Sequence, residues 1–167
     1  MTDESREILD WSTYGRAARE LAETIAADRF RPDAIVAIAR GGLALAGSLA
    51  YALDVKMLGS LNVEFYTGIG ARGDEPVVLP PTLDRDSLAG KRILLADDVA
   101  DSGRTLALVV QLLAAGGSEV RTVCLYTKPT TVHEPTYTWR RTDRWIMFPW
   151  SSEGPVSFPD DLTGDAA

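Results

Sequence analysis

The segment from Ile93 to Thr105, ILLADDVADSGRT, decides the fold. Its first four residues, 93–96, form an apolar run that is too short for a helix, so they predict a buried strand. Asp97 and Asp98 follow at the carboxyl end of that strand, the edge where open α/β sheets bind their ligands. Residues 101–105 are mostly small and polar, and an apolar helix is predicted over about residues 105–115. The segment therefore predicts a strand, a ligand-binding loop and a helix in succession.

The loop has the features of an anion-binding site. The short side chains of Ser102, Gly103 and Thr105 leave backbone N–H groups uncovered, and these groups can point at an anion on the helix N-terminus. The loop has neither the spacing of a P-loop nor that of a dinucleotide-binding turn. Because carboxylates repel a phosphate, Asp97 and Asp98 should face a neutral sugar diol or a metal ion.

The combination of an apolar strand, two acids and a DSGRT-like loop resembles the signature of type I phosphoribosyltransferases. The resemblance implies that Asp97 and Asp98 hold the ribose hydroxyls of phosphoribosyl pyrophosphate (PRPP) and Mg²⁺, directly or through water. It also implies a catalytic role for Asp101, which would hydrogen-bond the purine N7 and can act as general base. The implied ligands of the PRPP 5′-phosphate are Asp101, Ser102, Gly103, Arg104 and Thr105.

A second strand-to-helix turn contains Arg40, Gly41 and Gly42. A buried strand is predicted before it at 34–39, and a helix after it from about 43 to 53. Paired glycines allow close backbone approach, and Arg40 brings a fixed positive charge. This turn resembles the pyrophosphate loop of 6-oxopurine phosphoribosyltransferases, in which the peptide bond before the arginine is often cis. The resemblance implies that Arg40 and Gly41 bind the pyrophosphate.

The rest of the chain predicts strands that alternate with helices. Residues 12–30 have helical apolar spacing, with Ser12 as a candidate N-cap, and further strands are predicted at 56–66 and 120–126. This alternation predicts a single α/β domain over residues 1–167 with a mainly parallel, doubly wound sheet. Residues 67–87 are polar, rich in Gly and Pro, and without apolar periodicity. In the resemblance they are the flexible hood that closes over PRPP.

The C-terminal region, residues 128–158, is predicted to bind the base. Its order of Lys128, then Trp145-Ile146, resembles bacterial xanthine–guanine phosphoribosyltransferases and their hypoxanthine-using relatives. The resemblance implies that Lys128 donates to the purine 6-oxo oxygen, that Trp145 stacks on the ring and that the Ile146 backbone contacts the 2-position edge. Met147 stands where those bacterial enzymes have an acid, so the preference among hypoxanthine, guanine and xanthine stays open.

Composition limits the partners and the compartment. The net charge of −7 argues against a nucleic-acid partner, which would need a basic face. No apolar run approaches the ~20 residues that span a bilayer, so no membrane partner is expected. The single cysteine, Cys124, fits a reducing cytoplasm, and a cytoplasmic protein is expected. The resemblance implies a homodimer or a homotetramer.

These patterns predict an enzyme that transfers the phosphoribosyl group of PRPP to a 6-oxopurine, with Mg²⁺ as cofactor. Two alternatives stay open. The first is a PRPP-sensing regulatory protein of the same fold without catalysis, although neither a DNA-binding region nor a basic face is visible in the sequence. The second is a phosphoribosyltransferase for another nucleobase. Lys128 disfavours adenine, because its ammonium would face the 6-amino group and oppose donor to donor.

Overall fold

The computed structural model describes residues 5–65, 76–78 and 84–159. They belong to two compact units: the smaller contains the residues up to Tyr14 and those from Arg144 onward, and the larger runs from Gly15 to Asp143. The single domain over residues 1–167 stays a prediction. In chain order, the described helices and strands are β1 (Arg6–Ile8), α1 (Trp11–Ala27), β2 (Ala34–Ala39), α2 (Gly42–Ala52), β3 (Met57–Phe65), β4 (Pro76–Val78), β5 (Arg92–Ala100), α3 (Arg104–Ala114), β6 (Glu119–Thr127), β7 (Tyr137–Arg141) and β8 (Trp145–Met147).

The larger unit is built on a sheet with the strand order β4-β3-β2-β5-β6-β7. All neighbouring strands in it are parallel except β3 and β4, which are antiparallel. In β2 and β5 the apolar runs 34–38 and 93–96 are buried without alternation, as expected for parallel strands covered on both faces. The prediction of an α/β fold with a mainly parallel sheet is confirmed. The ends of β2, β5 and β6 carry the predicted site residues Arg40, Asp101 and Lys128.

Strand β5 is longer than the sequence predicts, because it continues to Ala100 instead of ending at Ala96. Asp97 pairs with Cys124 of β6, and Ala100 pairs with Thr127, so the ladder runs past the two acids. Asp97 and Asp98 therefore lie inside β5, near its carboxyl end, and not in the loop that follows the strand. Strand pairing overrides the low strand propensity of aspartate here.

One further prediction, the N-cap of the first helix, needs correction. Helix α1 begins at Trp11, and the Thr13 N–H donates to Asp10 Oδ1 at 2.6 Å, so Asp10 and not Ser12 caps the helix. Within the predicted hood, residues 67–87, the structure contains β4, and a short 3₁₀ turn at Asp86–Leu88 overlaps the end of the hood. Residues 67–75 and 79–83 of the hood lie outside the described residues.

The smaller unit joins the two ends of the described chain. Strands β1 and β8 pair in parallel, with Arg6 beside Trp145 and Ile8 beside Met147. The Leu9 N–H continues this pairing by donating to the Met147 carbonyl at 3.0 Å. An aromatic cluster also belongs to this unit; its rings are those of Trp11, Tyr14, Phe148 and Trp150. No helix in the described part of the chain has the length and apolar character needed to cross a membrane.

Candidate active site

The acid pair lies at the carboxyl end of β5. Asp97 and Asp98 are both half-buried, and the Asp98 N–H donates to Asp97 Oδ1 at 2.9 Å. Burial, together with the neighbouring charge of Asp98, raises the pKa of Asp97 well above its ordinary value. Burial raises the pKa of Asp98 to about 6. The folded chain therefore holds two adjacent carboxylates in a place that disfavours their charges, and a cation or hydroxyl donors would relieve this cost.

The Arg40-Gly41-Gly42 turn lies directly against the acid pair. A Cβ placed on Gly41 would overlap the Asp98 carboxylate, with Asp98 Oδ1 only 2.7 Å away. A Cβ on Gly42 would overlap the Ala96 carbonyl oxygen and lie 3.0 Å from the Asp97 Cα. The close approach of two backbones explains why glycine occupies these positions.

The peptide bond between Ala39 and Arg40 is cis, and the Arg40 side chain is exposed. The Arg40 carbonyl accepts the Leu43 N–H at 3.1 Å, which joins the turn to the first residues of α2. The two stretches that the sequence analysis assigned to the pyrophosphate and to the ribose are thus in contact.

The loop at residues 101–105 leads into α3. Gly103 is buried with φ 75, in the left-handed region that favours glycine, and it precedes the first helical residue, Arg104. The Ala107 N–H donates to the Gly103 carbonyl at 2.9 Å, which starts the helical hydrogen bonds. The Arg104 N–H donates to Ser102 Oγ at 3.4 Å. The first N–H groups of a helix have no partner inside the helix, and such helix ends commonly bind anions. Asp101, Ser102 and Arg104 are exposed around this helix end.

Lys128 follows β6 and is held close to this loop. Its N–H donates to the Ala100 carbonyl at 2.9 Å, immediately before Asp101. Residues 130–133 contact the loop directly, and no pattern in the sequence predicts these contacts. The sequence around Thr130 and Thr131 is the same as that of an ordinary surface turn, so it gives no sign of a contact with the loop. His133 is half-buried at this contact.

The other two predicted base-binding residues belong to the smaller unit. Trp145 and Ile146 are the first residues of β8, where the Trp145 side chain is 72% exposed and Ile146 is buried. The outward-facing indole fits a stacking role. That Trp145 and Ile146 share a site with Lys128 stays a prediction.

The donor set fits Mg²⁺ better than a transition metal. Over the described ranges, no group of three or more His, Cys, Asp or Glu side chains could hold a metal ion. Mg²⁺ is commonly bound through one or two carboxylates together with water and substrate phosphates. Asp97 and Asp98, next to the glycine turn, provide such a pair.

The chain is similar to proteins of known family. The model of the phosphoribosyl transferase domain matches residues 4–154. A xanthine-guanine phosphoribosyltransferase from Gluconobacter oxydans is 35% identical over 156 residues, which cover 90% of this chain and 87% of that protein. A xanthine-guanine phosphoribosyltransferase from Ruegeria sp. is 34% identical, with coverage of 85% and 83%. The crystal structure of a purine phosphoribosyltransferase from Pyrococcus horikoshii superimposes with a TM-score of 0.78 at 38% identity, covering 92% of this chain and 98% of that one.

Proposed function

Because the chain belongs to the phosphoribosyl transferase family, we propose that it transfers the 5-phosphoribosyl group of PRPP to a 6-oxopurine, giving the nucleoside monophosphate and pyrophosphate. The family predicted from the DSGRT-like loop is thereby confirmed. The observation that carries the proposal is the contact of Gly41 with Asp98 beside the N-terminus of α3. It brings a leaving-group loop, a diol-binding acid pair and a phosphate-binding helix end to one edge of the sheet.

The reaction breaks the anomeric C–O bond through an oxocarbenium-like state, so the protein must stabilise the departing pyrophosphate. The Arg40 guanidinium and the Gly41 backbone N–H offer fixed positive and partial positive charge for this purpose. Asp97 and Asp98 accept hydrogen bonds from the ribose hydroxyls and hold the sugar in place for attack. Mg²⁺, when bound at these acids, supplies further positive charge for the pyrophosphate oxygens.

The loop at 101–105 binds the 5′-phosphate through its backbone N–H groups and through the hydroxyls of Ser102 and Thr105. Arg104, exposed at the first position of α3, adds a positive charge at the same end. The exposed Asp101 carboxylate is free to reach the base, where it hydrogen-bonds the purine N7 and acts as the catalytic base.

The base is selected by Lys128, Trp145 and Ile146. The Lys128 ammonium donates to the 6-oxo oxygen shared by hypoxanthine, guanine and xanthine, and Trp145 stacks on the ring at a gain of ~1–3 kcal/mol. Adenine presents an amino group at the same position, so two donors would oppose each other. Sites built on such a polar match discriminate by about 10⁴–10⁵-fold against a ligand that cannot satisfy it.

The test is nucleotide formation from PRPP, Mg²⁺ and each of hypoxanthine, guanine, xanthine and adenine. We expect turnover with 6-oxopurines and rejection of adenine, and Lys128→Ala should lower every 6-oxopurine rate and narrow the gap to adenine. Lys91→Ala is the matched control, because Lys91 lies just before the amino end of β5, whereas the proposed site lies at the carboxyl ends of the strands. A preference for adenine would favour a phosphoribosyltransferase for another base, and PRPP binding without any turnover would favour the regulatory alternative.

We further propose that the chain works in the cytoplasm as a homodimer or homotetramer. The support for assembly is an apolar surface on α2 and β3, where Leu43, Tyr51 and Leu58 are exposed, Tyr51 by 92%. Its rim carries the exposed Lys56–Asp54 ion pair of 2.8 Å, and an apolar centre with a polar rim is typical of interfaces between subunits. Light scattering should detect an oligomer that Leu58→Glu dissociates, and a monomeric wild type would contradict the assembly.

A further inference from the structure

The turn at residues 128–133, the threonine turn, is hydrogen-bonded along the phosphate loop. Its first N–H, from Lys128, donates to the Ala100 carbonyl, and the Val132 N–H donates to the Ser102 carbonyl, both at 2.9 Å. Between these two bonds, Thr130 Oγ1 donates to the Asp101 carbonyl at 3.4 Å. The turn thus holds three successive carbonyls, from the end of β5 into the loop.

The threonine turn also packs on Gly103 without a gap. A Cβ on Gly103 would overlap Thr131 Oγ1 and lie 2.7 Å from the His133 N and 3.1 Å from the Val132 N. Thr131 Oγ1 is itself fixed, because it donates to the His133 carbonyl at 3.0 Å. The Thr131 hydroxyl therefore closes the turn and forms the surface on which Gly103 rests.

These contacts decide where the N–H groups of the loop point. In a planar trans peptide the C=O and the following N–H point in opposite directions. Because the carbonyls of Asp101 and Ser102 face the threonine turn, the N–H groups of Ser102 and Gly103 face away from it. They lie in a loop that leads directly into the N-terminus of α3, a place where helices commonly bind anions.

We propose that the threonine turn is a positioning element that couples recognition of the base to binding of the 5′-phosphate, with Thr131 as its positioning residue. The inference rests on the proposed function, since Lys128 is the first residue of the turn and the proposed base contact. A base that holds Lys128 in place also fixes the turn, and the fixed turn holds the loop N–H groups in their phosphate-binding orientation. Coupling of this kind is reciprocal, so a phosphate in the loop must strengthen base binding by the same factor.

The test measures the affinity for ribose 5-phosphate by calorimetry, with and without saturating hypoxanthine, together with the KM values and kcat of the complete reaction. In the wild type we expect hypoxanthine to raise the ribose 5-phosphate affinity by about 5-fold or more, the lower end of common coupling. Thr131→Val keeps the shape of the side chain but cannot donate to the His133 carbonyl. In this variant hypoxanthine should change the ribose 5-phosphate affinity by a factor close to one, which means that the coupling is lost. The KM for PRPP should rise by about 3- to 10-fold, the effect of one lost hydrogen bond. Thr131→Ser retains the hydroxyl and should restore both values.

Thr24→Val is the matched control, because Thr24 Oγ1 donates to the Glu20 carbonyl at 2.9 Å on the exposed face of α1. It removes the same kind of hydrogen bond and should leave the coupling unchanged. Wild-type coupling in Thr131→Val, or equal loss in the serine and valine variants, would overturn the inference. If Thr131→Val does not fold, Thr130→Val decides: reduced coupling supports the inference and unchanged coupling overturns it. A wild type that turns over no purine would instead overturn the proposed function, and the coupling with it.

Discussion

Asp98→Asn should stabilise the metal-free protein at neutral pH while it weakens the use of PRPP. The carboxyl group has its pKa raised from 3.8 to about 6 by burial, so the folded chain binds this proton more tightly than the unfolded chain. The stabilisation is therefore fully present below pH 3.8 and is lost as the pH rises through about 6. Asparagine has the same shape and carries no charge at any pH.

The magnitude follows from the gap between the two pKa values. A gap of about 2 units at about 1.36 kcal/mol each gives at most about 3 kcal/mol, which is the cost of the Asp98 charge at pH 8. At pH 5.5 the Asp98 carboxylate is partly protonated, and this raises the free energy of unfolding of the wild type by about 1 kcal/mol relative to pH 8. The free energy of unfolding of Asp98→Asn should thus exceed that of the wild type most clearly at pH 8. At pH 5.5 the difference between the two free energies should be smaller by about 1 kcal/mol.

Urea unfolding at both pH values, with a chelator to remove divalent cations, measures this difference. Asp33→Asn is the control of opposite sign. Hydrogen bonds from Arg92, including one of 2.8 Å from its guanidinium, hold the Asp33 pKa below the ordinary range, so its charge stabilises the fold at pH 8. Removing that charge should destabilise the protein. An Asp98→Asn variant no more stable than the wild type at pH 8, or a stability difference that does not change with pH, would contradict a destabilising buried charge at Asp98.

Four other substitutions test the site and the packing of the fold. Gly42→Ala places a Cβ against the Ala96 carbonyl and should lower the free energy of unfolding by ~1–3 kcal/mol. Gly15→Ala lies in α1, where a Cβ would meet nothing within 4 Å, and should raise the free energy of unfolding by ~0.4–1 kcal/mol. Urea unfolding measures both, and equal effects of the two substitutions would contradict the packing argument. Asp101→Ala should reduce kcat by ~10²–10⁴-fold with little change in PRPP affinity, and full-speed turnover would remove its catalytic role. Trp145→Ala should raise the KM of every purine base alike through lost stacking, and unchanged KM values would contradict that contact.

The sequence predicted the strands and turns that carry the chemistry, because their signals are local. Strand β2 is observed over the predicted residues, since an unbroken apolar run is typical of a parallel strand buried on both faces. The glycines after β2 and the DSGRT-like loop after β5 marked the ligand edge for the same reason: the loop chemistry is contained in a few adjacent residues. Strands β1 and β8, of three residues each, were not predicted, because such short pairs are stabilised only by each other.

The sequence by itself determined which chemical groups this protein brings to its sheet edge: two acids, a phosphate-binding loop, an arginine–glycine turn and a lysine. Only the tertiary structure decided which of them meet. Gly41 lies against Asp98, and Thr131 supports Gly103, through contacts between segments that are far apart in the chain. No local pattern specifies such contacts, because they arise from the register of β5 with β2 and β6. The same packing raises the pKa of Asp98, since the desolvation of a carboxylate depends on what surrounds it in space and not on its neighbours in sequence.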